Sequence, residues 1–221
     1  MLFLTTQNQL EAHIESAKAG ADDHLVKPIA PALLLSAAAS RLERARFLKN
    51  LLHRDGLTRL LTHSAFMEQA QSIAAQCKRQ PSRMAVLILI DIDRFTGINE
   101  KYGYAVGDKL LISLSAILRQ RLRTSDVVGR IGGEELAIIV EDLEEYDAVN
   151  LAQRLLQDFA AVPHRAADGS EFHATFSAGV AVLDSKVMDV ERWKRHAEQA
   201  LRAAKNNGRN CVMKAIGGKR A

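Results

Sequence analysis

Cysteine is scarce in this sequence: its 221 residues hold two, Cys77 and Cys211, far apart and in no metal-like spacing. A disulfide framework and a cysteine-held zinc site are therefore excluded, and reduced thiols in a cytoplasmic protein are expected. The seven histidines make no pair at zinc-ligand spacing and read as surface or packing residues. Long apolar runs are missing too. The longest clear one, Met84 to Ile90, is far too short to span a bilayer, and no charged-apolar-cleavage pattern marks a signal peptide, so no membrane insertion is expected. Internal repeats and low-complexity segments are absent. Charge is nearly balanced: a net +4 is compatible with anionic ligands, but it does not single out nucleic acid, and no nucleic-acid partner is expected. What remains is 48 % hydrophobic and 25 % charged, the profile of a globular chain with one large domain or one domain plus an appendage.

The stretch Arg130-Ile-Gly-Gly-Glu-Glu-Leu136 organises the rest. Apolar residues flank it (Val127, Val128; Ala137 to Val140), which predicts two short strands joined by a tight turn. Gly132 and Gly133 permit positive φ and let backbone approach a ligand closely. Glu134 and Glu135 follow at once. Adjacent acids at a turn repel each other, and a bound cation would relieve that cost; the alternative is a solvated, acid-decorated hairpin tip.

Residues 31–53 carry a helical apolar stripe (Leu34 or Leu35, Ala38, Leu42, Ala45, Leu48, Leu52), compatible with a coiled coil but too short to demand one. Asp55 to Leu60 reads as a turn, and Ser64 as the cap of a helix that Pro81 ends. Met84 to Ile90 is a strand buried on both faces that runs into Asp91-Ile-Asp93, with both acids able to share a face. An irregular loop rich in turn residues is expected over 95–108, with Asn99 and Asp108 as its notable polar groups and Asp108 as cap of a helix over 109–122. Helices are expected over 144–159 and 190–207, the second stopped by Gly208, and one strand with a single buried face over 172–182. Lys205 and Arg209 stand four apart and would reach one anion if the last turn continues. Strands and helices alternate with hairpins between them, so the fold class is α/β in the mixed α+β sense: a partly antiparallel sheet with helices packed on it.

Two resemblances follow from these residues. Residues 1–30, with Thr5 after a first strand and Lys27-Pro28 after a second, resemble the C-terminal part of a response-regulator receiver domain. The match begins mid-domain, without the phosphoacceptor aspartate, so truncation or a late start is expected and residues 1–29 should not sense phosphorylation. An upstream histidine kinase would be a partner only of a parent protein carrying the full receiver. Residues 31–53 would then be the last receiver helix and a stalk, and 216–221 a basic tail.

Four patterns agree over 54–215: Asp55-x-Leu57-Thr58-x-Leu60; Asp91-x-Asp93-x-Phe95 with Asn99 and Gly107-Asp108; Gly132-Gly-Glu-Glu135; and Lys205-x-x-Gly208-Arg209-Asn210. In order and spacing they resemble the GGDEF domain family, the diguanylate cyclases. The resemblance implies a fold like the palm of nucleotidyl cyclases and polymerases, and condensation of two GTP into cyclic di-GMP with release of two pyrophosphates by a homodimer of half-sites. It also implies two Mg²⁺ or Mn²⁺ ions per half-site, on Asp91, the Ile92 carbonyl, Glu134 and Glu135, with Glu135 as a ligand or general base. Asn99 and Asp108 would hold guanine, Lys205 and Arg209 the phosphates, and Gly132, Gly133 and Thr96 would line the substrate; Asp93 is structural support. Arg123-Thr-Ser-Asp126, with Arg154, matches the family's inhibitory product site. The chain departs from the family at Leu136 (usually phenylalanine), Thr96 (usually a phosphate-contacting lysine), Tyr104 (commonly histidine) and Thr62-His63 (usually Asn-Arg). Weakened binding or rate is the expected consequence. The alternatives are a silent GGDEF domain that binds GTP or cyclic di-GMP, and a dimerisation module built on the 31–53 helix.

Overall fold

The computed structural model describes residues 2–5, 23–80, 82–166, 168–184 and 189–215. The chain divides into two units, residues 1–52 and 53–221. In the first, β1 (Leu2–Thr5) and β2 (Asp23–Val26) pair in parallel, Leu2 opposite Asp23 and Thr5 opposite Val26. The helix expected over Gln9–Ala19 lies outside the described residues. Helix α1 spans Pro31–His53, as its apolar spacing predicts. Leu33, Leu35 and Leu42 on it are more than half exposed.

The second unit is built on one five-stranded mixed sheet, in the order β4 (Val127–Arg130), β5 (Glu135–Glu141), β3 (Ala85–Ile92), β8 (Phe176–Val182), β9 (Val212–Lys214). Only β8 and β9 run parallel. Strand β3 is central, and all eight of its residues are buried, because helices cover both faces of the sheet. Val86, Ile88 and Ile90 enter a core with Leu110, Leu114 and Leu118 of α4 (Tyr104–Arg121) and Leu155 and Phe159 of α5 (Glu145–Ala160). Ala85, Leu87 and Leu89 enter the opposite core. There they meet Phe66 and Ile73 of α2 (His63–Arg79) and Trp193 and Ala197 of α6 (Val190–Asn206). Alternation along β3 thus feeds two cores at once.

Five local expectations need correction. The segment 95–108 is not a loop: α3 (Phe95–Tyr102) and α4 meet at Gly103, whose φ of +88° turns the chain. Three glycines in this stretch suggest a loop, but Gly97 and Gly107 sit in helices; Gly107 is needed because a side chain there would strike Asn99 and Phe95. Asp108 therefore lies inside α4 and caps nothing. Ser64 does not cap α2: Thr62 holds that position, without a side-chain cap bond. The predicted strand 172–182 is also broken. Glu171–Phe172 (β7) pairs with His164–Arg165 (β6), and β8 begins only at Phe176.

The second face of β8 is buried as well, because Gly179 and Ala181 are small enough to admit α6. A Cβ on Gly179 would run into the Ala197 carbonyl and the Leu201 amide. Trp193 Nε1 donates to the Ala181 carbonyl at 2.8 Å, fixing α6 on this strand.

Candidate active site

The carboxyl end of the central strand β3 carries Asp91, which lies between Glu135 of β5 and Ser177 of β8. Opposed residues of paired strands share a face, so the β4–β5 hairpin sets Glu135 across from Asp91, with Glu134 one residue earlier at the tip. An open cleft forms there. It is lined by Asp91, Ile92, Asp93, Arg94, Phe95, Thr96, Glu134, Lys205 and Arg209.

Asp91 is 6 % exposed, and Lys205 Nζ contacts its Oδ2 at 2.7 Å. Burial pushes the Asp91 carboxyl above its ordinary value, against the pull of Lys205. Asp93 turns to structural duty. Its carboxylate accepts from Ser177 Oγ (2.6 Å), Thr175 Oγ1 (2.7 Å) and the Asn210 amide (2.9 Å), tying β3 to β8 and to the segment after α6. The reading of Asp93 as support agrees with these bonds.

The last turn of α6 does not continue to Arg209. Gly208 takes φ +95°, the Arg209 amide reaches back to the Ala204 carbonyl at 3.1 Å, and Arg209 itself is left-handed at φ 63°. Lys205 and Arg209 reach the same cleft nonetheless, because the reversal swings Arg209 back over the sheet edge.

In the hairpin, neither Gly132 nor Gly133 uses a positive φ, contrary to expectation. Gly132 sits close to Glu135 instead: a Cβ would lie 2.7 Å from the Glu135 carboxylate, which would have to swing aside. The Ile131 and Gly132 amides both donate to the Glu135 carbonyl, at 2.9 and 3.3 Å. Glu134 lines the cleft half-buried, while Glu135 is exposed. The hairpin is braced by a contact that short-range reading misses. Arg130 donates to the Gly133 carbonyl at 2.7 and 3.1 Å and pairs with Asp55 at 3.3 Å. Asp55 also accepts from the Thr58 amide and hydroxyl, both at 2.7 Å. Burial raises its pKa, but the Thr58 bonds and Arg130 outweigh it and hold the carboxyl below its usual value.

Asn99 and Asp108 lie outside the cleft lining, on neighbouring helices. Asn99 packs against Gly107, next to the exposed Asp108, and its buried Oδ1 has no hydrogen-bond partner among the described residues. Such an orphaned acceptor fits a ligand with N–H donors. Leu136 is wholly buried beside Ile90, so its exchange for phenylalanine acts through packing beneath the turn. Arg123 and Asp126 close the turn between α4 and β4, the Arg123 amide donating to Asp126 Oδ2 at 2.8 Å. Arg154 stands on α5 one turn before Asp158, which pairs at 2.8 Å with Arg121, just before that turn.

Among the described residues no three His, Cys, Asp or Glu side chains converge on one metal position. Asp91 and Glu134 offer hard carboxylate oxygens on one cleft, which Ile92 also lines. That donor set suits a magnesium-type ion that keeps several waters.

The family model for the diguanylate cyclase GGDEF domain matches residues 52–211, which take in β3 to β8 and helices α2 to α6. The chain belongs to the GGDEF family. The probable diguanylate cyclase DgcC of Escherichia coli is 32 % identical over 168 residues, covering 76 % of this chain and 44 % of DgcC. The response regulator PleD of Caulobacter vibrioides is 29 % identical over 211 residues, 90 % of this chain and 46 % of PleD. The chain thus spans less than half the length of these relatives. A solved structure, the active GGEEF domain of a Vibrio cholerae diguanylate cyclase, is 30 % identical with a TM-score of 0.66, covering 72 % of this chain and 99 % of that domain. Among the described residues no helix is long and apolar enough to cross a membrane.

Proposed function

We propose that this GGDEF chain is a diguanylate cyclase that joins two GTP into cyclic di-GMP. The single observation that carries this reading is the cleft where Asp91 and Glu134 face Lys205 and Arg209 at the end of β3. Asp91, Glu134, Glu135 and the Ile92 carbonyl would hold Mg²⁺ or Mn²⁺, two ions per half-site. Those ions, when bound, neutralise triphosphate charge and make a 3′-hydroxyl more acidic. Glu135 takes the proton of that hydroxyl. A 3′-oxygen–phosphorus bond forms at the α-phosphate of the other GTP, and its bond to pyrophosphate breaks. Lys205 leaves Asp91, and with Arg209 it neutralises the β- and γ-phosphates. Asn99 and Asp108 accept from the guanine edge, and Gly132 and Gly133 keep the turn open to the nucleotide. One domain holds one GTP, so two must face each other, and the reaction requires a homodimer. Leu35 and Leu42, one heptad apart and exposed on α1, support pairing through the stalk. Product held by Arg123, Asp126 and Arg154 would fix the domains in an unproductive pose.

The parallel β1–β2 pair, and a match to a response regulator that extends over 90 % of the chain, support the receiver reading of the first unit. A cytoplasmic location follows from the nucleotide chemistry.

The silent-domain reading draws on Thr96 and Leu136. The burial of Leu136 weakens it, since leucine fills the core there without touching the cleft. Pyrophosphate release from GTP with Mg²⁺ tests the proposal. The rate per protomer is expected to rise with protein concentration and to vanish in Glu135→Gln; GTP binding without pyrophosphate release would favour the silent domain.

A further inference from the structure

We infer that Arg94 is a phosphate-binding residue of this cleft and supplies the positive charge that Thr96 does not. This rests on the nucleotide reading above. The cleft lining holds three acids (Asp91, Asp93, Glu134) and three cations (Arg94, Lys205, Arg209). Of the cations, Lys205 is held by Asp91, whereas the Arg94 guanidinium has no hydrogen-bond or ion-pair partner among the described residues. Thr96 lines the same cleft two residues along and brings no charge.

The backbone singles out the same residue. Arg94 takes φ 56° and ψ 29°, a left-handed conformation, at the N-cap of α3. A side chain with a Cβ is disfavoured there, and glycine or asparagine would suit the position better. Nothing local offsets this, because the side chain makes no cap bond, while the Arg94 carbonyl takes the Ile98 amide at 3.0 Å as any residue would. The left-handed turn sets Arg94, exposed, on the lining of the cleft beside the first turn of α3, whose leading amides have no intrahelical acceptor. A planar fork of donors with no protein partner, beside open amides, has the chemistry to hold a phosphate group.

The test is binding of a non-hydrolysable GTP analogue, and separately of GMP, with Mg²⁺, to wild type, Arg94→Gln, Arg94→Gly and Arg94→Gln/Thr96→Lys. Both single variants are expected to bind the triphosphate roughly tenfold more weakly or worse. GMP affinity is expected to change less than about twofold, and Thr96→Lys to recover most of the triphosphate affinity. Arg94→Gly relieves the left-handed strain, so its melting midpoint should equal or exceed that of wild type and its binding loss cannot come from unfolding. Unchanged triphosphate affinity in the single variants, or equal loss of triphosphate and GMP, overturns the role of Arg94 while leaving the nucleotide reading standing. A wild type that binds neither nucleotide overturns both.

Discussion

Replacing Gly179 by alanine adds one methyl group to β8, and the structure specifies what that methyl meets. It would strike the Ala197 carbonyl and the Leu201 amide, with Leu201 Cα 2.9 Å away. These are backbone atoms of α6, so no side chain can rotate aside; the helix itself must move. Trp193 resists that movement through its bond to Ala181, and Ala197 and Trp193 are both fully buried. Overpacking typically costs about 1–3 kcal/mol, and a clash with helix backbone belongs at the upper end. At about 2–4 °C per kcal/mol for a unit of this size, the melting midpoint should fall by roughly 6–12 °C. Because α6 also carries Lys205 to Asp91, the folded fraction should bind GTP less well. Scanning calorimetry and nucleotide titration on Gly179→Ala read both effects. Gly97→Ala is the control of opposite sign: its Cβ would meet nothing within 4 Å on the exposed side of α3. It should stabilise by up to about 1 kcal/mol. A midpoint for Gly179→Ala within a degree or so of wild type would refute the close packing of α6 on β8.

Asp55→Ala should cost about 1–2 kcal/mol by removing the Arg130 brace and the Thr58 bonds. The folded pKa of Asp55 lies below its ordinary 3.8, so its contribution is complete above that value and lost as pH falls through the folded value. Denaturant melts at pH 7 and pH 2.5 should therefore show the variant's deficit shrinking in acid. His164 is buried among Phe159 and Phe172, and burial, with the nearby His173, lowers its pKa below 6.5. The unfolded chain takes up that proton first as pH drops, so wild-type stability should decline below about pH 6.5, and His164→Phe should show less decline in melts from pH 7.5 to 5. Lys205→Met frees the Asp91 carboxylate, so Mn²⁺ titrated without nucleotide and followed by electron paramagnetic resonance should bind more tightly than in wild type. Unchanged Mn²⁺ affinity would show that the Lys205–Asp91 contact does not compete with a cation.

Much of the site was legible because its residues announce themselves locally. The apolar run of β3 ending in Asp91, the paired glycines followed by Glu134-Glu135, and the stop at Gly208 each carry their structural reason in a few adjacent positions. What was not legible depends on partners far away in the chain. Arg130 reads as a strand residue until Asp55, 75 positions earlier, is seen beside it. Gly107 and Gly179 look like breakers or weak strand residues because glycine signals turns; here they accommodate Asn99 and α6. The α3–α4 corner was hidden by that same bias, and the β6–β7 hairpin by alternation that runs unbroken from Phe172 into β8. Arg94 carries no local signal between Asp93 and Phe95 at the end of a buried strand; only its left-handed backbone and its place in the cleft distinguish it.

The central claim is that this cleft, in two facing copies, joins two GTP molecules. Chromatography and mass measurement of the product after incubation with GTP and Mg²⁺ test it most directly. Cyclic di-GMP is expected from wild type and none from Glu135→Gln. GTP bound but unconverted at high protein concentration, or a product other than the cyclic dinucleotide, would contradict it.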